Sequence, residues 1–309
     1  MTVTADPGSY DLDALRSRVL PHDEGAVDDS IPSLAAADPR LCAIALALPD
    51  GTVHGSSHSD TAFTMQSSVK PFLFALALLD TDGDALHRVG IEPTGEAFDA
   101  IKLESGTGRP PNPMVNAGAL LTASLVDGAD GSARSDRILQ GLSAFAGRPL
   151  EIDERTAEEE REHGERNHAL AHLMRAEDTL HVTADDAVEV YGRACAVLVD
   201  VKALAVMGAT LALGGVNPVT RERVVPASVA RDVVSVMATC GVYDGSGTWM
   251  RRVGVPAKSS VSGAIVLSAP RMLGAAVLSP PLDDQGTSVR GRIASEMLSD
   301  DLGLHVFAT

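Results

Sequence analysis

Two apolar segments at opposite ends of the chain constrain the fold more than any other feature. Leu41-Cys-Ala-Ile-Ala-Leu-Ala-Leu48 runs into the turn signal Pro49-Asp50-Gly51 and a second extended piece, Thr52–Ser57. An apolar run, a turn of this kind and a second extended run predict a β-hairpin. Near the other end, Ser262-Gly-Ala-Ile-Val-Leu-Ser268, a turn at Pro270-Arg271 and Leu273–Leu278 predict another. A lone hairpin is marginal in water, so the two are expected to share one antiparallel sheet.

Everything between the hairpins reads mainly helical. A helix is predicted from Ser67 to Leu79, with Pro71 tolerable because it falls near the first turn, where a missing N–H costs least. Asp136–Ala146 stops at Gly147, and Thr183-Ala-Asp-Asp186 resembles a capping box opening a helix to about Val199. Pro226-Ala-Ser-Val229 starts a further helix, with Val229, Val233, Met237 and Cys240 at helical spacing and Gly241 as its stop. Residues 1–10 read as a polar leader and Asp11–Leu20 as a short amphipathic helix. The expected class is α+β: an antiparallel sheet from N- and C-terminal hairpins, flanking helices and a large inserted helical section. It is read as a single catalytic domain over 1–309, with a sheet lobe at about 25–66 and 245–309 and a helical lobe at about 67–244.

A net charge of −17 argues against nucleic acid and against anionic membrane, because both need a basic face. Cys42, Cys195 and Cys240 are widely spaced and contain no C-x-x-C, and Met1–Leu20 lacks a basic-then-apolar leader, so a reducing cytoplasm is expected. The histidines contain no H-E-x-x-H motif, so neither a metal nor another cofactor is expected.

The chemistry starts at Ser67 and Lys70. An alcohol three residues before an amine shares its helix face, and a desolvated lysine can take the proton that makes a serine nucleophilic. Lysine is scarce: only Lys70, Lys102, Lys202 and Lys258 occur. By itself the pair is weak evidence, and four other stretches add to it. Asn116 follows Pro110-Pro-Asn-Pro-Met-Val, where a helix cap is the simpler account. Glu160 and Asn167 flank Gly164 in an acidic tract, Glu151–Glu165, whose default reading is a solvated face. Tyr191 lies on an apolar helix face, where a core tyrosine is simpler. Tyr243 stands in the glycine-rich loop Cys240-Gly-Val-Tyr-Asp-Gly-Ser-Gly247, ahead of Lys258 entering a strand. Together these fit cleavage of an amide. Ser67 attacks with Lys70 as base, Tyr243 passes a proton to the departing nitrogen, and the N–H groups of Ser67 and of a residue after Lys258 bind the oxyanion.

Several motifs, in order, resemble the serine-dependent glutaminases. They are Gln66-Ser67-Ser68-Val69-Lys70, Asn112-Pro-Met-Val-Asn-Ala-Gly118, Glu160 with Gly164-Glu-Arg-Asn167, and Tyr191-x3-Cys195. Gly241-Val-Tyr-Asp-x-Ser-Gly247, Pro256-Ala-Lys-Ser-x-Val-Ser-Gly263 and Ser279-Pro-x-Leu-Asp283 complete the set. The resemblance implies a fold similar to serine β-lactamases and penicillin-binding transpeptidases, and hydrolysis of L-glutamine to L-glutamate and ammonia without a cofactor. It implies that Ser67 is the nucleophile, Lys70 its base and Tyr243 a partner in proton transfer. Val261 then completes the oxyanion hole, and Gln66, Asn116, Glu160, Asn167 and Tyr191 surround the substrate. It also implies a homo-oligomer, a dimer or tetramer. The chain departs from the family pattern at Ser30, where a tyrosine is usual, at Ser260 in a Lys-Ser-Gly pattern, and at Leu213 and Thr287, where asparagines are usual. These changes are expected to bear on efficiency and substrate preference. A penicillin-recognising hydrolase or peptidase on the same fold, or a weakly active glutamine-binding relative, are the alternatives.

Overall fold

A computed structural model describes residues 5–95 and 100–308. Strands β1 (Ala43–Ala47), β2 (Val53–Gly55), β6 (Ala257–Ser259), β7 (Ala264–Ala269) and β8 (Leu273–Leu278) form one antiparallel sheet in the order β2-β1-β8-β7-β6. The two distant hairpins therefore join at β1 and β8, with Ala45 opposite Ala276. Three short strands, β3 (Phe63–Thr64), β4 (Glu151–Ile152) and β5 (Val197–Val199), make a second sheet in the order β3-β5-β4.

The main sheet is covered on both faces, which explains why its strands are apolar throughout instead of alternating with polar residues. Ala43, Ala45, Ala47, Val266 and Ala276 face the helices of the section between the hairpins. Ile44, Leu46, Ile265, Leu267 and Val277 face the opposite way, against the helices Leu12–Val19 and Val289–Leu302. On the inner face the helix Val201–Ala212 lies directly on β8 and β7. Its approach is so close that a Cβ at Gly274 would meet the Ala209 amide nitrogen at 2.1 Å and the Ala205 carbonyl oxygen at 2.2 Å. Beyond it stands the helix Lys70–Asp80, buried on every side from Lys70 to Leu78, as an all-round apolar helix must be. The helices Asn116–Leu125, Gly131–Ala146 and Ala227–Cys240 pack around it. Among the described residues no helix is long and apolar enough to cross a membrane.

Several expectations are corrected in detail. The helix ending at Gly147 begins at Gly131, not Asp136, because Asp130 caps it by accepting the Ala133 amide at 2.9 Å. Thr183 does cap the next predicted helix, accepting the Asp186 amide, but that helix ends at Cys195. Val197-Leu-Val199 instead becomes the middle strand of the small sheet, where branched side chains pack well. Gly241 is not a left-handed helix stop (φ −73°). It is small because β6 passes over it, and a Cβ there would lie 1.8 Å from the Ala257 carbonyl oxygen. The helix predicted from Ser67 opens as a 3₁₀ turn, Gln66–Val69, before the α-helix starts at Lys70, with Pro71 in its first turn as expected. Of the polar leader, Met1–Thr4 lie outside the described residues, and Pro7–Ser9 form a 3₁₀ turn.

Gly274→Ala should therefore force the Val201–Ala212 helix off the sheet. A loss of about 2–3 kcal/mol in urea unfolding, the cost of overpacking a tight core, is expected. An unchanged unfolding midpoint would count against direct helix-on-strand contact.

Candidate active site

The small sheet delivers the nucleophile candidate to its place. β3 pairs with β5, the Met65 amide continues the pairing by donating to the Val197 carbonyl at 2.9 Å, and the chain then turns sharply. Gln66 makes that turn with φ +48°, a left-handed conformation that a non-glycine residue adopts only under constraint. Ser67 lies in the 3₁₀ turn and Lys70 closes it, its amide donating to the Ser67 carbonyl, which brings the two residues three apart onto one side. Both are buried, Ser67 at 6% and Lys70 at 0% exposure.

Lys70 Nζ donates to Asn116 Oδ1 at 2.7 Å, and Asn116 Nδ2 donates to Asn167 Oδ1 at 3.1 Å. Asn116 therefore does not cap its helix. It is the first helical residue, Val115 precedes it as the cap position, and its amide is committed to the Lys70–Asn167 chain. Tyr243 enters from the loop after the Ala227–Cys240 helix, also left-handed (φ +51°), and its ring lies close to two lysines. Lys258 Nζ is 3.8 Å and Lys70 Nζ 5.7 Å from the ring centroid. Burial pushes the Tyr243 phenol well above its ordinary pKa, opposed by the nearby hydroxyls of Ser67 and Ser259, so it is held as a neutral proton donor. Burial, with the charge of Lys70 adding to it, pushes the Lys258 amine far down, while its Nζ donates to the Ser259 carbonyl at 2.6 Å.

Ser67 opens on a cavity of about 340 Å³ lined by Gln66, Asn116, Glu160, Asn167, Tyr191 and Val261, among others. The structure thus brings those predicted residues together around Ser67, and places Lys70 and Tyr243 beside it. Burial raises the Glu160 carboxyl to about 7, opposed by a hydrogen bond from Gln66; Asp28 and Glu159 add to the rise and His163 opposes it. Tyr191 is both core and cavity wall. It is 3% exposed, and burial and a hydrogen bond with Cys195 hold its phenol protonated. Val261 lies in the turn between β6 and β7, not on a strand. Neither its amide nor that of Ser67 makes a backbone hydrogen bond among the described residues.

Of the departures, Ser30 lines the cavity and Ser260 braces it. The Ser260 hydroxyl donates to the Met65 carbonyl at 2.9 Å and meets the Ser262 hydroxyl at 2.9 Å, so its side chain ties β6 to the segment carrying Ser67. Leu213 closes the Val201–Ala212 helix away from the cavity, and Thr287 donates its amide to Asp283. Sequence reasoning passed over Asp28, His163 and Arg166, which also line the cavity. In so acidic a chain a single Asp gives no signal. His54 and His58, like His168 and His172, are spaced four apart, yet among the described residues no group of His, Cys, Asp and Glu could hold a metal ion.

An α+β frame of this kind, with a buried serine and lysine beside a cavity whose wall holds a carboxyl, is that of the amidohydrolases of β-lactamase-like fold. The glutaminase family profile matches residues 25–307. A glutaminase of Clavibacter michiganensis subsp. michiganensis is 70% identical over 303 residues, 98% of this chain and 93% of the relative. A glutaminase of Nostoc sp. is 44% identical over 297 residues, covering 96% and 89%. Among solved structures, Mglu in its glutamate form superposes with a TM-score of 0.93 at 44% identity, over 96% of this chain and 69% of Mglu. A probable glutaminase, ybaS, superposes with a TM-score of 0.93 at 35% identity, over 99% and 100%. The chain belongs to the glutaminase family. That membership decides against the penicillin-recognising alternative.

Ser260→Ala should cost about 1–2 kcal/mol in denaturant unfolding, because it removes the buried bonds to the Met65 carbonyl and with the Ser262 hydroxyl while the Met65 carbonyl keeps its bond from the Ser68 hydroxyl. A neutral or stabilising result would mean that Ser260 does not brace the site.

Proposed function

We propose that this member of the glutaminase family hydrolyses L-glutamine to L-glutamate and ammonia through an ester on Ser67, within one catalytic domain. The observation that carries the reading is a buried Ser67–Lys70 pair, its amine oriented by Asn116, opening on a cavity whose wall holds the Glu160 carboxyl. Ser67 Oγ attacks the side-chain amide carbon while Lys70 Nζ takes the hydroxyl proton. The oxyanion is held by the Ser67 and Val261 amides, which the backbone leaves available among the described residues. The neutral Tyr243 phenol gives its proton to the nitrogen as the carbon–nitrogen bond breaks, and ammonia leaves. Lys70 then returns a proton to the phenol. Water attacks the ester, its proton passes through the same groups, and glutamate is released with the Ser67 hydroxyl restored. Every step uses groups of this chain and water.

Glu160 receives the α-ammonium group, and the side chains of Asn116, Asn167 and Tyr191 supply donors for the α-carboxylate, with Gln66 positioning Glu160. The buried, unbridged state of Cys42, Cys195 and Cys240 supports a cytoplasmic location. The resemblance to the family supports a homo-oligomer, a dimer or tetramer.

Ser67→Ala and Lys70→Ala should each reduce ammonia release from glutamine by roughly three orders of magnitude or more, as loss of a nucleophile or its base does. Release close to wild type from either variant would sink the mechanism. Absence of release from wild type, with heat stabilisation by glutamine, would instead favour a binding protein with little turnover.

The pH profile gives a second check. Glu160 must be ionised to hold an ammonium group, and its carboxyl, faced by Gln66, Asp28, Glu159 and His163, titrates at about 7. Below that value the neutral acid dominates, so kcat/KM for glutamine should rise with pH through about 7. In Glu160→Gln this rise should vanish along with most activity. A profile that is flat across about pH 6 to 8 in wild type would contradict the assignment.

A further inference from the structure

We infer that Asp28 is a second anchor for the substrate's α-ammonium group, working beside Glu160. The inference rests on the glutamine reading above and adds a residue to it. Asp28 lies in the segment ahead of the short Pro32–Ala35 helix and lines the Ser67 cavity together with Ser30, Glu160 and Tyr191. It also lines the adjoining cavity of about 500 Å³ that Tyr243 borders, so it stands at the junction of the two. Its charge is felt at both sides of that junction, raising Glu160 and Tyr243 alike.

The carboxylate is held by its own loop. Asp28 Oδ1 accepts the Ser30 amide at 3.0 Å and also the Ser30 hydroxyl. Oδ2 makes no hydrogen bond among the described residues. One oxygen thus fixes the side chain while the other keeps its acceptor capacity. An ammonium group brings three N–H donors, and Glu160 already takes a hydrogen bond from Gln66 and is partly protonated near neutral pH. A second, half-buried carboxylate in the same cavity supplies the missing charge and acceptor. Asp29 borders only the adjoining cavity. The Ser30 hydroxyl is turned back to Asp28, so this segment offers the substrate a carboxylate in preference to a hydroxyl.

Asp28→Asn preserves an Oδ1 acceptor for Ser30 while removing the charge, so the loop keeps its shape. Its kinetics are compared with wild type on L-glutamine and on glutaramate, the same side-chain amide without the α-amino group. For glutamine, KM should rise roughly tenfold or more, the effect of one lost charge-assisted contact, with kcat within about twofold. For glutaramate, KM should not change. An equal rise for both substrates would assign Asp28 to holding the loop and overturn the inference, as would an unchanged KM for glutamine. Calorimetric titration separates this from failure of the hydrolysis reading. If wild type binds L-glutamate without turning over glutamine, Asp28→Asn should still weaken L-glutamate binding and leave glutarate binding unchanged. Equal weakening of both ligands would overturn the inference, and binding of neither by wild type would remove it together with the glutamine reading.

Discussion

A lysine amine with no solvent exposure, 2.7 Å from Asn116 Oδ1, is the constraint on which the site depends. An unpartnered ammonium in an apolar interior is unaffordable, and removing its partner typically costs several kcal/mol. The surroundings are built to supply partners. The amine projects from the first residue of a helix buried from Lys70 to Leu78, Asn116 from the first residue of another, and Asn167 from a third, so one hydrogen-bonded chain fixes three helices relative to each other. In the mechanism we propose, the same burial suits Lys70 to its part as the base for Ser67.

Two residues in left-handed backbone conformations flank this centre, Gln66 and Tyr243. Each costs on the order of 1–3 kcal/mol and persists only where its neighbours enforce it. Before Gln66 the Met65 peptide is clamped from three sides: its amide by Val197, its carbonyl by the hydroxyls of Ser68 and Ser260. At Tyr243 the Ser246 hydroxyl closes the turn, donating to the Tyr243 carbonyl at 2.8 Å and accepting the Val242 amide at 3.1 Å. Ser260, which looked like an intrusion into a glycine position, is part of the clamp. The strained turns carry Ser67 out of the small sheet and bring the Tyr243 ring close to Lys70 and Lys258.

The two hairpins, their turn residues and the long helical insertion were legible because period, length and punctuation are local properties. So was the Ser67–Lys70 spacing, since a helical turn of either type brings residues three apart together. Beyond that, resemblance to a family gathered the site residues and local physics did not. Asn116 read as a cap and Tyr191 as core, because nothing within a few residues of either tells that a distant lysine or carboxyl will meet it. The β3-β5-β4 sheet escaped notice because strands of two or three residues carry no period.

The sequence by itself determined which segments could be strands and helices, that the two distant hairpins could share a sheet, and which serine could be paired with an amine. Tertiary structure alone decided that Asn116 orients Lys70 instead of capping a helix, that Ser260 braces the segment carrying Ser67, and that Asp28 shares a cavity with Glu160. The physical reason is range. Backbone preference and apolar spacing act over a few residues and are written in order along the chain. Proton affinity, burial and hydrogen-bond partners are set by groups that the fold alone brings together.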